Sequence, residues 1–208
     1  MAYILGFFAA DGYMTLNKRG AHFWNIQIID RELLEAIKKA IGAEHKISER
    51  IGEGNEKILY RLQIGSKEMF QDLQNLGFTQ GKTYSMVVPN VPAKYFRDFV
   101  RGYFDGDGNV WSGRIHRDRP NDTLAICSSF VSCSGLFLAE LRRRLRIFGL
   151  INGVLNKGKG NYYRLTYSIR SSMKLCDFMY NHPCLVSGKD LFLQRKRVVF
   201  ERYLKMRS

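Results

Sequence analysis

Hydrophobic residues in this chain follow two spacings that change along the sequence. In residues 21–42 (AHFWNIQIIDRELLEAIKKAIG) and 123–149 (TLAICSSFVSCSGLFLAELRRRLRIFG), a stretch of alternation precedes a stretch with apolar residues three and four apart. The same change occurs in 57–77 (KILYRLQIGSKEMFQDLQNLG) and 161–181 (NYYRLTYSIRSSMKLCDFMYN). Alternation is typical of a half-buried strand and the wider spacing of an amphipathic helix. Each of the four stretches therefore predicts a strand followed by a helix.

The chain also repeats itself. ILGFFAADG at 4–12 aligns with VRGYFDGDG at 100–108, an offset of 96 residues, and QGKT at 80–83 aligns with SGKD at 187–190. The order helix, two strands, helix, two strands, helix is thus expected twice.

The proline-flanked PNVP at 89–92 reads as the connection between the repeats. We divide the chain into a first half at 1–88, a linker with the start of the second motif helix at 89–98, and a second half at 99–208. The predicted fold class is α/β, of the α+β kind: a pseudo-two-fold pair of αββαββα halves, each with a four-stranded antiparallel sheet.

Charge points to a polyanionic partner. The 208 residues carry a net charge of +14, and nucleic acid is the usual partner of a chain this basic. Residues 1–98 hold 13 Lys/Arg and 11 Asp/Glu, whereas residues 99–208 hold 20 and 8, so the second half is expected to grip a nucleic-acid backbone harder.

The same sequence gives expectations about the compartment. No apolar run approaches the roughly 20 residues of a membrane span, and no signal peptide is visible. The four cysteines form no C-x-x-C pair, which favours reduced thiols over a zinc site. We expect an intracellular protein of the cytoplasm or an organellar matrix, neither secreted nor bound to a membrane.

Small residues stand four apart in each repeated motif, Gly6 with Ala10 and Gly102 with Gly106. Residues at this spacing share one helix face, and small ones allow two backbones to approach closely. The two motif helices are therefore predicted to pack against each other.

Each motif ends in an aspartate and a glycine: Asp11 with Gly12, and Asp107 with Gly108. The glycines are expected as C-caps. A carboxylate at a helix C-terminus opposes the helix dipole, and two that converge there need cations. Hard divalent cations with carboxylate and water ligands, Mg²⁺ in particular, suit such a pair and support phosphoryl transfer.

The two motifs, with the strand and helix order around them, resemble the LAGLIDADG homing endonucleases of the single-chain, two-motif type. The resemblance implies a monomer that cuts both strands of long, non-palindromic double-stranded DNA and leaves short 3′ overhangs. It implies Asp11 and Asp107 as metal ligands, with Ala10 and Gly106 beside them in the metal site. Mg²⁺ is the implied cofactor; Mn²⁺ is expected to substitute, and Ca²⁺ to bind without cleavage. Ala9 stands where the second motif has Asp105, so the halves are expected to differ.

The family also places a basic residue near the metals, after the third helix of each half. Lys82 and Lys189 occupy matching places, and Gln80 is the alternative if the local register slips by two. By resemblance, Asp30 and Ser134, which begin the helix after the second strand, help to hold the water network. A plain helix N-cap is the other interpretation of both.

The two sheets are expected to form a DNA-binding saddle whose outward strand positions and loops read base edges. The candidates are Asn17, Lys18, Arg19, Asn25, Gln27, Lys46, Arg50, Arg61 and Gln63 in the first half, and Trp111, Arg114, His116, Arg117, Lys157, Lys159, Asn161 and Arg164 in the second.

The alternative to an endonuclease is a binding protein of the same fold that has lost cleavage, either an RNA maturase or a DNA-binding regulator. Retention of both Asp11 and Asp107 favours cleavage.

Overall fold

A computed structural model gives the fold and describes residues 1–51, 57–116, 123–181 and 191–207. Packing divides the chain into two compact units, Met1–Gly106 and Asp107–Ser208. The boundary falls after Gly106, so the second motif helix belongs to the first unit up to its last residue. In the described ranges, no helix is long and apolar enough to cross a bilayer.

The first unit contains one four-stranded sheet and its helices. In chain order these elements are α1 (Ala2–Asp11), β1 (Gly12–Leu16), β2 (His22–Ile28), α2 (Arg31–Ala40), β3 (Ile47–Arg50), β4 (Leu59–Gly65), α3 (Lys67–Asn75), α4 (Lys82–Ser85) and α5 (Phe96–Asp107), with a 3-10 turn at Ala93–Tyr95.

All neighbouring strands of the first sheet are antiparallel, in the order β1-β2-β4-β3. Alternation along β2 and β4 puts Trp24, Ile26 and Leu62 on one buried face, which α2 and α3 cover. The apolar residues of α2 meet this face through Leu34 and Ile37, both fully buried. The opposite side of the sheet, turned away from α2 and α3, is called here the first outer face.

The second unit repeats the arrangement. Its elements are β5 (Gly108–Ile115), β6 (Thr123–Ser132), α6 (Gly135–Ile147), β7 (Val154–Lys157), β8 (Tyr163–Tyr167), α7 (Ile169–Tyr180) and α8 (Gln194–Arg207).

The second sheet has the order β5-β6-β8-β7, which is the topology of the first sheet again. Phe130 and Leu165 pair across β6 and β8 and are fully buried beneath α6 and α7. The side turned away from these helices is the second outer face.

The predicted fold class and the predicted order of helices and strands are confirmed. The short helix α4 and the long α8 were not predicted, and α8 packs on β5 and β6.

Candidate active site and nucleic-acid interface

The motif helices α1 and α5 pack backbone to backbone within the first unit. A Cβ added to Gly6 would collide with the carbonyl oxygen of Phe99, and one added to Gly102 would collide with the carbonyl oxygen of Tyr3. Because each glycine has no side chain, the backbone of the other helix can contact it directly. The close helix packing predicted from the small-residue spacing is confirmed.

The same packing positions the carboxylate of Asp11. A Cβ added to Gly106 would collide with the Cβ of Ala10 and would lie 2.9 Å from Oδ2 of Asp11. Asp11 ends α1, and the residue after Gly106 is Asp107, which ends α5. The missing side chain at Gly106 thus leaves the room that the Asp11 carboxylate occupies.

The two motif aspartates differ in exposure: Asp11 is half-buried and Asp107 is exposed. Gly12 is the C-cap of α1, and its N–H donates to the carbonyl of Phe8, as expected. Its backbone is extended (φ −83°, ψ 154°), so the requirement for glycine is one of space. A Cβ at this position would overlap the Phe8 ring.

The motif ends offer carboxylate oxygens as possible metal ligands, from Asp11 at the end of α1 and from Asp107 at the end of α5. In the described ranges, no three His, Cys, Asp or Glu side chains cluster so as to hold a metal. Oxygen donors fit Mg²⁺, which keeps several waters and is commonly held by one or two carboxylates plus phosphate oxygens. Each carboxylate by itself therefore suits a cation that takes most of its ligands from water and substrate, not one held by a full protein cage.

A buried polar network ties α5 to α1. The Tyr3 hydroxyl donates to Oδ2 of Asp105 at 2.8 Å, and Asp105 is 1% exposed. The guanidinium of Arg101 is fully buried, pairs with Asp98 at 2.9 Å and lies 5.4 Å from the centre of the Tyr3 ring. Sequence reasoning identified Asp105 only as a departure between the motifs, and missed its role in packing.

The remaining predicted catalytic residues are placed unequally. Asp30 is the N-cap residue of α2, but its side chain does not bond to the first amides of that helix. Ser134 is a true N-cap, since its Oγ accepts from the N–H of Phe137 at 3.2 Å.

The other three predicted catalytic residues lie after the third helix of each repeat. Gln80 is exposed in the turn after α3, and Lys82 begins α4, its side chain outside the description. Lys189 lies outside the described residues.

One basic residue beside the second motif was missed by the sequence reasoning. Lys196, on α8, is 7% exposed, and its Nζ donates to the carbonyl oxygen of Gly108 at 2.6 Å. Gly108 directly follows Asp107. The only sequence signal was a lysine among the apolar positions of the last helix.

Several predicted DNA contacts share the first outer face. Residues paired directly across antiparallel strands lie on the same face. Gln27 is paired with Arg61 and Asn25 with Gln63, and Arg50 joins them by alternation along β3.

One of these residues corrects the prediction. Asn25 is 0% exposed, so it is not presented to an incoming ligand as expected. Its Nδ2 lies 3.3 Å from Oγ1 of Thr15 and 3.5 Å from the carbonyl of Tyr13. A central strand with neighbours on both sides buries a short amide.

The second outer face carries Trp111 and Arg164 among the predicted contacts. Arg114 and Lys157 were predicted there too, but alternation puts both on the helix side, paired with Leu124 and Tyr163. Both side chains are nevertheless exposed, so their contact with DNA stays a prediction.

The second outer face also holds polar residues that were missed. They are Asn109, Asn156 and Thr166. Asn109 stands two residues before Trp111, so strand alternation alone could have identified it.

The other candidates lie at exposed strand ends and turns: Asn17, Lys18, Arg19, Lys46, His116, Lys159 and Asn161. Asn17 is engaged locally, because its Oδ1 accepts from the N–H groups of Arg19 and Ala21 at 2.9 and 2.8 Å. Arg117 lies outside the described residues.

Neither outer face carries a carboxylate within its described strands. Glu49 is the single acid of these strands, and it points to the helix side, where it pairs with Arg31 at 2.6 Å. Faces with Arg, Asn, Gln and no acid are compatible with a polyanion.

Comparison with protein families matches residues 1–76 to the LAGLIDADG-like domain. An uncharacterized protein of Methanocaldococcus jannaschii, MJ0398, is 24% identical over 190 residues, which is 84% of this chain and 63% of that protein. The chain therefore spans less than two thirds of the curated relative that it matches.

Solved structures share the fold over nearly the whole chain. The LAGLIDADG meganuclease I-AabMI, solved bound to uncleaved DNA, has a TM-score of 0.62 at 16% identity and covers 98% of this chain and 88% of its own. I-SmaMI, solved bound to an uncleaved DNA target in the presence of calcium ions, has a TM-score of 0.62 at 15% identity, covering 98% and 89%. At this identity the likeness concerns the fold.

Proposed function

We propose that this chain, a two-motif protein of LAGLIDADG fold whose residues 1–76 match the LAGLIDADG-like domain, is a site-specific endonuclease for double-stranded DNA. Its proposed substrate is a long, non-palindromic duplex, and its proposed cofactor is Mg²⁺. It is proposed to act as a monomer.

The observation that supports cleavage most directly is the packing of α5 on α1. Gly106 stands against the Asp11 carboxylate, and Asp107 is the next residue of α5. Two carboxylates at helix C-termini, both opposed by the helix dipole, suit a role in holding cations.

The residues of the two motifs and the two lysines have different proposed roles. Asp11 and Asp107 would hold the divalent cation, which when bound supplies charge stabilisation at the phosphate and lowers the pKa of water. Tyr3, Asp105 and Arg101 fix α5 against α1 and so hold the end of α1 in place. Lys82 and Lys189 are proposed to orient the attacking water and to stabilise charge on the phosphate.

The outer faces of the two sheets are proposed to lie against the DNA, with Gln27, Arg61 and Gln63 on one and Arg164 on the other reading base edges. The two faces carry different side chains. A target read by two different faces has no reason to be a palindrome, since palindromes match identical half-sites.

A cleavage selection tests the proposal. The full chain is incubated with Mg²⁺ and a randomised duplex library, and the ends of cut molecules are sequenced. The proposal expects enrichment of one non-palindromic site, cut on both strands with 3′ overhangs. A protein that retains duplexes on a filter but yields no cut molecules would be a binding protein, and the nuclease proposal would be wrong.

A further inference from the structure

An exposed tryptophan lies flat on the second outer face. Trp111 is 48% exposed in the middle of β5. A Cβ added to Gly113 would lie 2.7 Å from Cζ2 and 3.2 Å from Cη2 of the indole. The ring therefore covers Gly113 and presents a broad apolar surface outward.

The residues around the ring are apolar or small. Trp111 is paired with Cys127, and Gly113 with Ala125, so these four form one block of the face. Burial raises the pKa of the Cys127 thiol, with Arg164 opposing the shift, so the thiol stays neutral and behaves as a small hydrophobe. The next row, Asn109 with Ser129, is polar.

The first outer face differs at the equivalent place. The repeat offset of 96 residues sets Thr15 against Trp111, and Thr15 is paired with Phe23 as Trp111 is with Cys127. Thr15 is half-buried and small, and the aromatic side chains next to it on the first outer face, Tyr13 and Phe23, are partly buried, whereas Trp111 is exposed.

A large apolar side chain has one specific partner in the major groove. Base edges there offer hydrogen-bond donors and acceptors at every pair, and the one apolar group is the 5-methyl group of thymine. An exposed indole that faced only polar edges would desolvate them without replacing their hydrogen bonds.

We propose that the Trp111 block recognises the 5-methyl group of thymine, so that the half-site read by the second unit has thymine opposite Trp111. The proposal rests on the proposed function, because it names a base preference of the same DNA-binding protein. The apolar block carries no charge and is wide enough for a methyl group, so it acts as a specificity element. Arg164, farther along the same outer face, supplies the attraction to the backbone or to a purine.

The test exchanges thymine for deoxyuridine, which removes only the methyl group. Duplexes carrying the selected site are made with single dT→dU substitutions at every thymine, and binding is measured in Ca²⁺ by fluorescence anisotropy. Burial of one methyl group corresponds to about a fourfold change in affinity. We expect one or two positions in the second unit's half-site to lose about threefold to fivefold.

Three variants complete the test. Trp111→Ala should bind the dT and dU duplexes equally at those positions, and Trp111→Leu, which keeps an apolar surface, should retain part of the difference. Thr15→Ala is the matched control, and it should leave the dT/dU ratio at the Trp111 positions unchanged. Equal unfolding temperatures for wild type and Trp111→Ala will show that the variant is folded.

The inference would be overturned if wild type and Trp111→Ala showed the same dT/dU ratio at every position. It would also be overturned if the only sensitive thymines responded to Thr15→Ala and not to Trp111→Ala. Absence of any duplex binding by wild type would instead contradict the proposed function itself, so the two failures are distinguishable.

Discussion

Replacement of Gly102 by alanine tests the backbone packing of α5 on α1. A Cβ at this position would collide with the carbonyl oxygen of Tyr3 and would lie 2.8 Å from the amide nitrogen of Phe7. Both obstacles are backbone atoms of α1, so no side chain can rotate away to make room. The helices would have to separate.

The magnitude follows from two opposing effects. Alanine in place of glycine inside a helix favours the helix by about 1 kcal/mol. Overpacking of a well-packed contact costs about 1–3 kcal/mol and occasionally more. Because the obstacle at Gly102 is rigid backbone, the upper end applies, and the net loss is about 2 kcal/mol. For a chain of this size that lowers Tm by about 4–8 °C.

Thermal unfolding followed by circular dichroism measures the effect. Gly81 offers the matched control, because an added Cβ there would meet no atom within 4 Å and its φ is not positive. Gly81→Ala should leave Tm unchanged or raise it slightly. If Gly102→Ala had the same Tm as Gly81→Ala, the conclusion that the backbones of α1 and α5 are in close contact would be wrong.

Three further predictions concern other contacts. Tyr3→Phe leaves the buried carboxylate of Asp105 without the hydroxyl at 2.8 Å and should lower the free energy of unfolding by about 1–3 kcal/mol, measured by urea denaturation. Lys196→Met removes the Nζ donor from the Gly108 carbonyl and should cost a similar amount, whereas Arg202→Met on the exposed side of the same helix should be within about 0.5 kcal/mol of wild type. Hydrogen bonds from Arg143 and Arg144 lower the pKa of Glu140 from 4.5 to about 2. The stabilisation by the ionised carboxylate is therefore complete above pH 4.5 and is lost as pH falls towards 2. The free energies of unfolding of wild type and Glu140→Gln, measured by urea denaturation, should differ at pH 7 and converge near pH 2.

The sequence predicted the fold because its two signals agreed. The change from alternating to three-and-four spacing gave the strands and helices, and the repeat gave their order twice. The hydrophobic pattern did not predict the order of strands in each sheet, where the second and fourth strands of the repeat pair at the centre. Strand pairing depends on contacts between residues far apart in the chain. Helix α8 was missed because charged residues dominate it and blur its apolar stripe.

The candidate site was predicted only in part. The small residues Gly6 and Gly102 predicted the helix packing, because two helix backbones this close leave no room for a Cβ. The burial of Asn25 could not be foreseen, because it depends on which strands flank β2. Nor could the contact from Lys196 to Gly108, which joins residues 88 apart.

The two motifs are chemically unequal. Asp105 and Arg101 build a buried polar network where the first motif has Ala9 and Leu5. The second unit also carries the larger excess of positive charge. From this difference we predict that the proposed endonuclease cuts the two DNA strands at unequal rates.

Cleavage of the selected site by wild type, Asp11→Asn and Asp107→Asn in Mg²⁺ tests the central claim most directly. Supercoiled plasmid carrying the site is followed over time to resolve nicked from linear product, and binding of each protein is measured in parallel in Ca²⁺. We predict that wild type makes linear DNA, while neither variant does, although both bind the site within about threefold of wild type. Linear product from either variant at close to the wild-type rate would contradict the assignment of the two aspartates.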